Sequence, residues 1–177
     1  MRETTDALKV EELMRRLGAE ARSEGRIYLV GGSSAVLLGW RATTVDVDLK
    51  LDPEPVGVFD AIARAKNSLN INVELAAPDD FIPPLPNWRE RSAFIARYGA
   101  VDFFHYDFYA QALAKIERGH EQDLRDVEAM HREQLIDPMR LIVLFDAIEP
   151  GLMRYPAIDA AYFREKVQNA VNAMEEQ

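Results

Sequence analysis

The chain has 177 residues, and at ~100 to 200 residues per domain that length holds one domain, or one catalytic core with a helical annex, and excludes a multi-module enzyme. Hydrophobic residues make up 48% and charged residues 29%, the balance of a globular protein able to pack a core and not that of a disordered chain. A formal charge of -9 and the absence of cysteine oppose non-specific binding to a long phosphate backbone, exclude disulfides and thiolate metal sites, and restrict any metal to oxygen or to the three histidines.

In chain order, Leu8, Val10, Leu13, Met14 and Leu17 fall at helical spacing within Ala7 to Ala21, and Gly25 follows as a stop. Arg26 to Val30 is a short apolar run with β-branched and aromatic members, read as a buried strand ended by Gly31-Gly32. Ser33 is expected to cap a helix over Ser34 to Leu38, broken by Gly39. From Thr44 the pattern alternates strictly, with Val45, Val47 and Leu49 on one face and Asp46, Asp48 and Lys50 on the other, so a second strand is predicted. A helix marked by Val58, Phe59, Ile62, Ala63 and Leu69 follows, then a third strand over Ile71 to Leu75 with Asn72 and Glu74 on its polar face.

Pro78 to Pro86 is interrupted by prolines and belongs outside a sheet or at its edge. Phe94 to Tyr98 and Val101 to Tyr106 read as a hairpin turned at Gly99. Beyond Phe108 the spacing is helical, with segments around 113–116, 124–130, 139–145 and 160–174 separated by Gly119, Asp137-Pro138 and Pro150-Gly151. The expected fold is α/β, a mixed sheet flanked by helices over residues 1–107 and a helical segment over 108–177 packed on it as one compact unit. No apolar run reaches the ~18 to 20 residues of a membrane span, and the first residues lack the apolar stretch of a signal peptide, so a cytoplasmic protein with no membrane partner is expected.

The residue types with chemical potential lie in two places. Two glycines between a strand and a helix let a backbone or a ligand approach closely, and free amides there favour an anion such as a triphosphate, although a plain strand-to-helix turn uses the same residues. Asp46 and Asp48 share a strand face about 6.6 to 7 Å apart, within reach of one divalent cation or a close pair. Mg²⁺, which prefers carboxylates together with substrate phosphates, suits them. Asp is depleted in strands, and two like charges on one face repel unless something neutralises them. Glu74, on the polar face of a neighbouring strand, would complete a triad that holds metal or activates a hydroxyl.

Leu29-Val30-Gly31-Gly32-Ser33-Ser34-Ala35 followed by Arg41-Ala42-Thr43-Thr44-Val45-Asp46-Val47-Asp48-Leu49 resembles the Gly-Gly/Ser turn and Asp-x-Asp strand of the DNA polymerase β-type nucleotidyltransferase superfamily. The likeness is greatest to its small bacterial members related to abortive-infection and toxin–antitoxin nucleotidyltransferases. The resemblance spans roughly Ile27 to Ile136. It implies a transfer of a nucleotide from an NTP to a hydroxyl with release of pyrophosphate, Asp46, Asp48 and Glu74 as catalytic and metal residues for one or two Mg²⁺ ions, and Gly31, Gly32, Ser33, Ser34 and Arg41 at the nucleotide. It further implies nucleotide contacts from the helical segment through Lys115, Asp123 and Asp126, which lie in Lys115-Ile116-Glu117-Arg118 and Asp123-Leu124-Arg125-Asp126-Val127. The acceptor it leaves open is tRNA, a protein hydroxyl or a small molecule, and a protein partner from a toxin–antitoxin pair is implied.

The chain departs from that pattern at the third carboxylate, usually Asp, where Glu74 matches best and Asp79 and Asp102 are rivals. Lys115, a single cation between Leu113 and Ile116 on a helix expected to pack, needs an anion to meet it. Two other readings use the same sequence: a non-catalytic nucleotide-binding or antitoxin module of the same fold, and an interaction protein whose acidic surface meets a basic partner. His105, His120 and His131 have no zinc-ligand spacing and are expected to be structural or exposed.

Overall fold

Alternation of apolar and charged side chains leaves the segment around Val47 no stable arrangement except a strand with one buried face, and a mixed sheet is built around it. A computed structural model of the chain describes residues 2–177. These form two units, one made of the chain up to Ala77 together with Ser92–Tyr106, the other of Pro78–Arg91 and Asp107–Gln177.

The first unit carries α1 (Ala7–Glu20), β1 (Gly25–Val30), α2 (Gly32–Leu38), β2 (Asp46–Leu51), α3 (Val58–Ser68), β3 (Asn72–Leu75), and the hairpin β4 (Ala93–Tyr98) and β5 (Val101–His105). Its five strands run in the order β3-β2-β1-β5-β4. β2 is antiparallel to β1 and parallel to β3, while β5 is parallel to β1 and antiparallel to β4. Ile27, Leu29, Val47, Leu49, Val73, Val101 and Phe103 all project to one face and form a continuous core with Val10, Leu13, Met14 and Leu17 of α1 and Val58, Ala61, Ile62 and Ala65 of α3. Asp6 caps α1, its side chain accepting from the Lys9 amide at 2.9 Å.

The second unit contains the short helix α4 (Trp88–Arg91), then α5 (Phe108–Arg118), α6 (Glu121–Arg132), α7 (Pro138–Ile148) and α8 (Ala160–Glu175). The proline-interrupted segment is part of this unit. Asp107, fully buried, caps α5 through the Tyr109 amide at 3.1 Å and takes two bonds from the Arg91 guanidinium at 2.7 and 3.1 Å. Burial pushes its carboxyl upward while the Arg91 bonds and charge pull it back. Phe145 of α7 and Phe163 of α8 meet edge to face at 4.9 Å. Among the described residues no helix is long and apolar enough to cross a membrane.

Gly18 lets α1 lie close against β4, since a Cβ placed there would overlap the Cβ and carbonyl oxygen of Tyr98. Gly18→Ala is expected to lower stability by about 1–3 kcal/mol, read as a fall in the urea midpoint with an unchanged slope.

Candidate active site

The sheet face opposite the core carries the chemistry. Asp46 and Asp48 alternate with Val47 and Leu49, which are 0% and 1% exposed, so the two carboxylates project together from the other side and are half-buried. Register then fixes their neighbours: Val30 of β1 stands opposite Asp48, and on the far side Glu74 pairs with Asp48 and Asn72 with Asp46. The Asn72 amide nitrogen donates to Asp46 Oδ1 at 2.5 Å and to Glu74 Oε1 at 3.1 Å. A neutral amide thus joins two of the three expected carboxylates, and Glu74 is exposed. Asn72 was visible in the sequence only as the next polar residue of an alternating strand.

The turn after β1 reaches this face from above. Gly31 has φ 63° and ψ -125°, a conformation closed to residues with a side chain, and a Cβ built on it would lie 3.7 Å from Asp48 Oδ2. A Cβ on Gly32 would overlap the Thr44 hydroxyl and stand 3.2 Å from Arg41 Nη1. Asp48, the two glycines and the Arg41 guanidinium therefore border one another. Thr44 is held in place by a bond from its hydroxyl to the Asp46 carbonyl at 3.0 Å and by backbone bonds to Thr5 at 2.7 and 2.8 Å.

The serines are placed differently from the expectation. Gly31, not Ser33, occupies the cap position of α2, and Ser33 and Ser34 lie within the helix, both fully buried. Ser33 donates to the Val30 carbonyl at 3.0 Å, and Ser34 Oγ lies 3.3 Å from the Leu29 carbonyl and 2.8 Å from His105 Nδ1. Their hydroxyls stitch the turn to β1. His105 itself is buried, and burial pushes its pKa down to about 4, so the ring is neutral near pH 7.

Lys115, Asp123 and Asp126 come together within the helical unit. Lys115 Nζ lies 2.8 Å from Asp126 Oδ2 and 3.4 Å from Asp123 Oδ1, and Arg118 Nη2 lies 2.7 Å from the same Asp123 oxygen. Gln122 adds a bond to Asp126 at 3.2 Å. Lys115, Asp123 and Asp126 are all buried. The anion that the Lys115 ammonium requires is thus supplied by α6. Of the rival carboxylates, Asp102 pairs with Arg97 at 3.2 Å on β4, and Asp79 lies in the second unit.

Among the described residues no group of three or more Asp, Glu or His side chains is placed to hold a metal ion. The donors that do fit a hard cation are the two carboxylates of β2. Two carboxylates completed by phosphate oxygens and water are the usual protein share of a Mg²⁺ site.

A mixed sheet with a strand-to-helix glycine turn set against an Asp-x-Asp strand makes this an α/β protein. The chain belongs to a family described as "Nucleotidyltransferase of unknown function (DUF6036)", whose model matches residues 7–170. No curated protein and no solved structure matches it.

Two outcomes are expected from this geometry. Asp126→Ala leaves the Lys115 ammonium buried without its nearest partner and should cost about 3–5 kcal/mol, with Lys115→Met in the same chain restoring part of that loss in chemical denaturation. His105 is neutral in the folded protein down to about pH 4 but titrates near ~6.5 when unfolded. Between those values the unfolded chain binds the proton, so its contribution is complete above pH 6.5 and is lost as pH falls toward 4. From pH 7 to pH 4.5 the unfolding free energy measured in urea should fall less in His105→Asn than in the wild type, by an amount of order 3 kcal/mol at most.

Proposed function

We propose that this chain is a Mg²⁺-dependent nucleotidyltransferase of the DNA polymerase β type, akin to the small bacterial abortive-infection and toxin–antitoxin enzymes. It would transfer a nucleotide from an NTP to a hydroxyl acceptor and release pyrophosphate. The observation that carries this reading is the convergence of Asp46, Asp48 and the Gly31-Gly32 turn on one face, with Asp48 Oδ2 directed at Gly31 and the Arg41 guanidinium beside Gly32. Membership of a nucleotidyltransferase family supports it.

In this reading Asp46 and Asp48 hold Mg²⁺, which when bound would neutralise charge on the phosphates and on the reacting oxygens. The Gly31-Gly32 backbone lets phosphate oxygens come close, and Arg41 adds a forked donor suited to phosphate. The acceptor oxygen attacks the α-phosphorus in line with the bond to the bridging oxygen. That bond breaks, pyrophosphate leaves with its electron pair, and the hydroxyl proton passes to a carboxylate base. Glu74, opposite Asp48 in the register and open to solvent, is the group assigned to that proton. Lys115, Asp123 and Asp126 enter as the ion cluster that holds α5 to α6.

The alternative, a nucleotide-binding or antitoxin module without turnover, draws on the Asn72 amide that already joins Asp46 and Glu74. Calorimetry with a non-hydrolysable ATP or GTP analogue separates the two. Binding that requires Mg²⁺ and falls about tenfold or more in Asp48→Asn supports the enzyme. Equal affinity in EDTA and in Mg²⁺ would favour the module, and no binding of any NTP analogue would refute both.

A further inference from the structure

Below the glycine turn lies a buried polar contact that the transfer reaction does not use. β5 turns Val101, Phe103 and His105 toward the core face, two hydrocarbons and then an imidazole. An apolar side chain would fill that position without the cost of burying a polar ring, which is tolerated only when its nitrogens are hydrogen-bonded. His105 is 7% exposed, and its Nδ1 lies 2.8 Å from the hydroxyl of Ser34, which is 0% exposed. With the proton on Nδ1 the bonds run in one direction, from the ring to Ser34 and from the Ser34 hydroxyl to the Leu29 carbonyl, 3.3 Å away. The same carbonyl accepts the Tyr106 amide, just past β5, at 2.9 Å, so this peptide is held by the backbone that follows His105 and, through Ser34, by the imidazole. Ser33 closes the adjoining Val30 carbonyl at 3.0 Å. The last two carbonyls of β1 are therefore each fastened to a serine just beyond the two glycines. Glycines supply no side chain of their own to hold the turn, and Gly31 sits in a backbone conformation that must be imposed from outside.

We propose that His105 is a positioning residue: through Ser34 it fixes the Gly31-Gly32 backbone beside Asp48 and Arg41, and so sets the seat of the nucleotide phosphates. The inference rests on the reading of that turn as the phosphate seat, and it assigns His105 no contact with substrate.

Side-chain geometry supplies the test. Asparagine places a polar atom where Nδ1 stands, whereas glutamine reaches toward the position of Nε2 and alanine reaches neither. In the full-length protein, His105→Ala and His105→Gln should speed amide hydrogen exchange across residues 31–36 and weaken Mg²⁺-dependent binding of a non-hydrolysable ATP analogue, each by about tenfold, the scale of one lost buried hydrogen bond. His105→Asn should stay near the wild type in both. Val171→Ala, in the core of the helical unit, provides a variant of lowered melting temperature with the turn intact and should change neither readout. Glutamine performing as well as asparagine would overturn the proposal, as would exchange at 31–36 that is unchanged in all three His105 variants or changed equally in Val171→Ala. If the wild type binds no NTP analogue, the proposed function falls, while the exchange pattern still decides whether His105 holds the turn.

Discussion

Everything at the candidate site depends on the register of β2. Val47 and Leu49 are buried to 0% and 1% exposure, and a slip of one residue would send both to the outer face and drive Asp46 and Asp48 into the core. The magnitudes show which side of the strand decides. Burying two such side chains contributes about 1.5–3 kcal/mol each, whereas two carboxylates ~7 Å apart repel by about 0.6 kcal/mol in water and about 2.4 kcal/mol at an effective dielectric constant near 20. Burial on the core side therefore outweighs the repulsion between the two acids, and neighbouring strands lock the arrangement through Leu29 opposite Leu49 and Val47 opposite Val73.

The two glycines of the turn answer different constraints. Gly31 is required by its backbone angles, and Gly32 by the Thr44 side chain that occupies the place of a Cβ. Thr44 in turn is fixed through its bridge to Thr5, so the segment ahead of α1 takes part in holding the site. A packed hydroxyl against one glycine and a carboxylate facing the other leave the turn little freedom, and the buried serines remove more. Rigidity of this kind is what a positioned phosphate needs, because catalysis by in-line displacement is mostly a matter of placement.

A short apolar run made β1 readable from the sequence, Gly99 the hairpin, and period-two patterning β2 and β3; the patterning also put Asp46 with Asp48 and Asn72 with Glu74 on shared faces. What it could not supply was the order of the strands. That β1 lies between β2 and β5, and that Asp48 faces Glu74 while Asp46 faces Asn72, follow from pairings between distant segments. The Ser34–His105 contact spans 71 residues and has no local signature; its one trace is a histidine where the alternation of β5 calls for a hydrocarbon. The misplaced cap has a local cause. Ser33 is a good N-cap residue, but Gly31 alone can take the angles that start the helix two positions earlier. The stretch from Pro78 to Pro86 reads as a loop by its prolines, and the segment through Arg91 is tied to the helical unit by the Arg91–Asp107 pair, which sequence spacing does not announce.

The acids of this chain stand in two settings. Asp123 and Asp126 are buried, and each is met by a cation, Lys115 serving both and Arg118 adding to Asp123. A buried carboxylate without such a partner would be driven to its neutral form, so the helical acids and their cations are a balanced set with little left to attract a ligand ion. Asp46 and Glu74 share the dipole of an amide, and Asp48 stands next to Asp46 on a half-buried face beside Gly31. That amide satisfies lone pairs of Asp46 and Glu74 without cancelling their charge. In the proposed function a hard divalent cation arriving with a polyphosphate would ease the repulsion between the two acids, whereas the Lys115 cluster already carries its own cations.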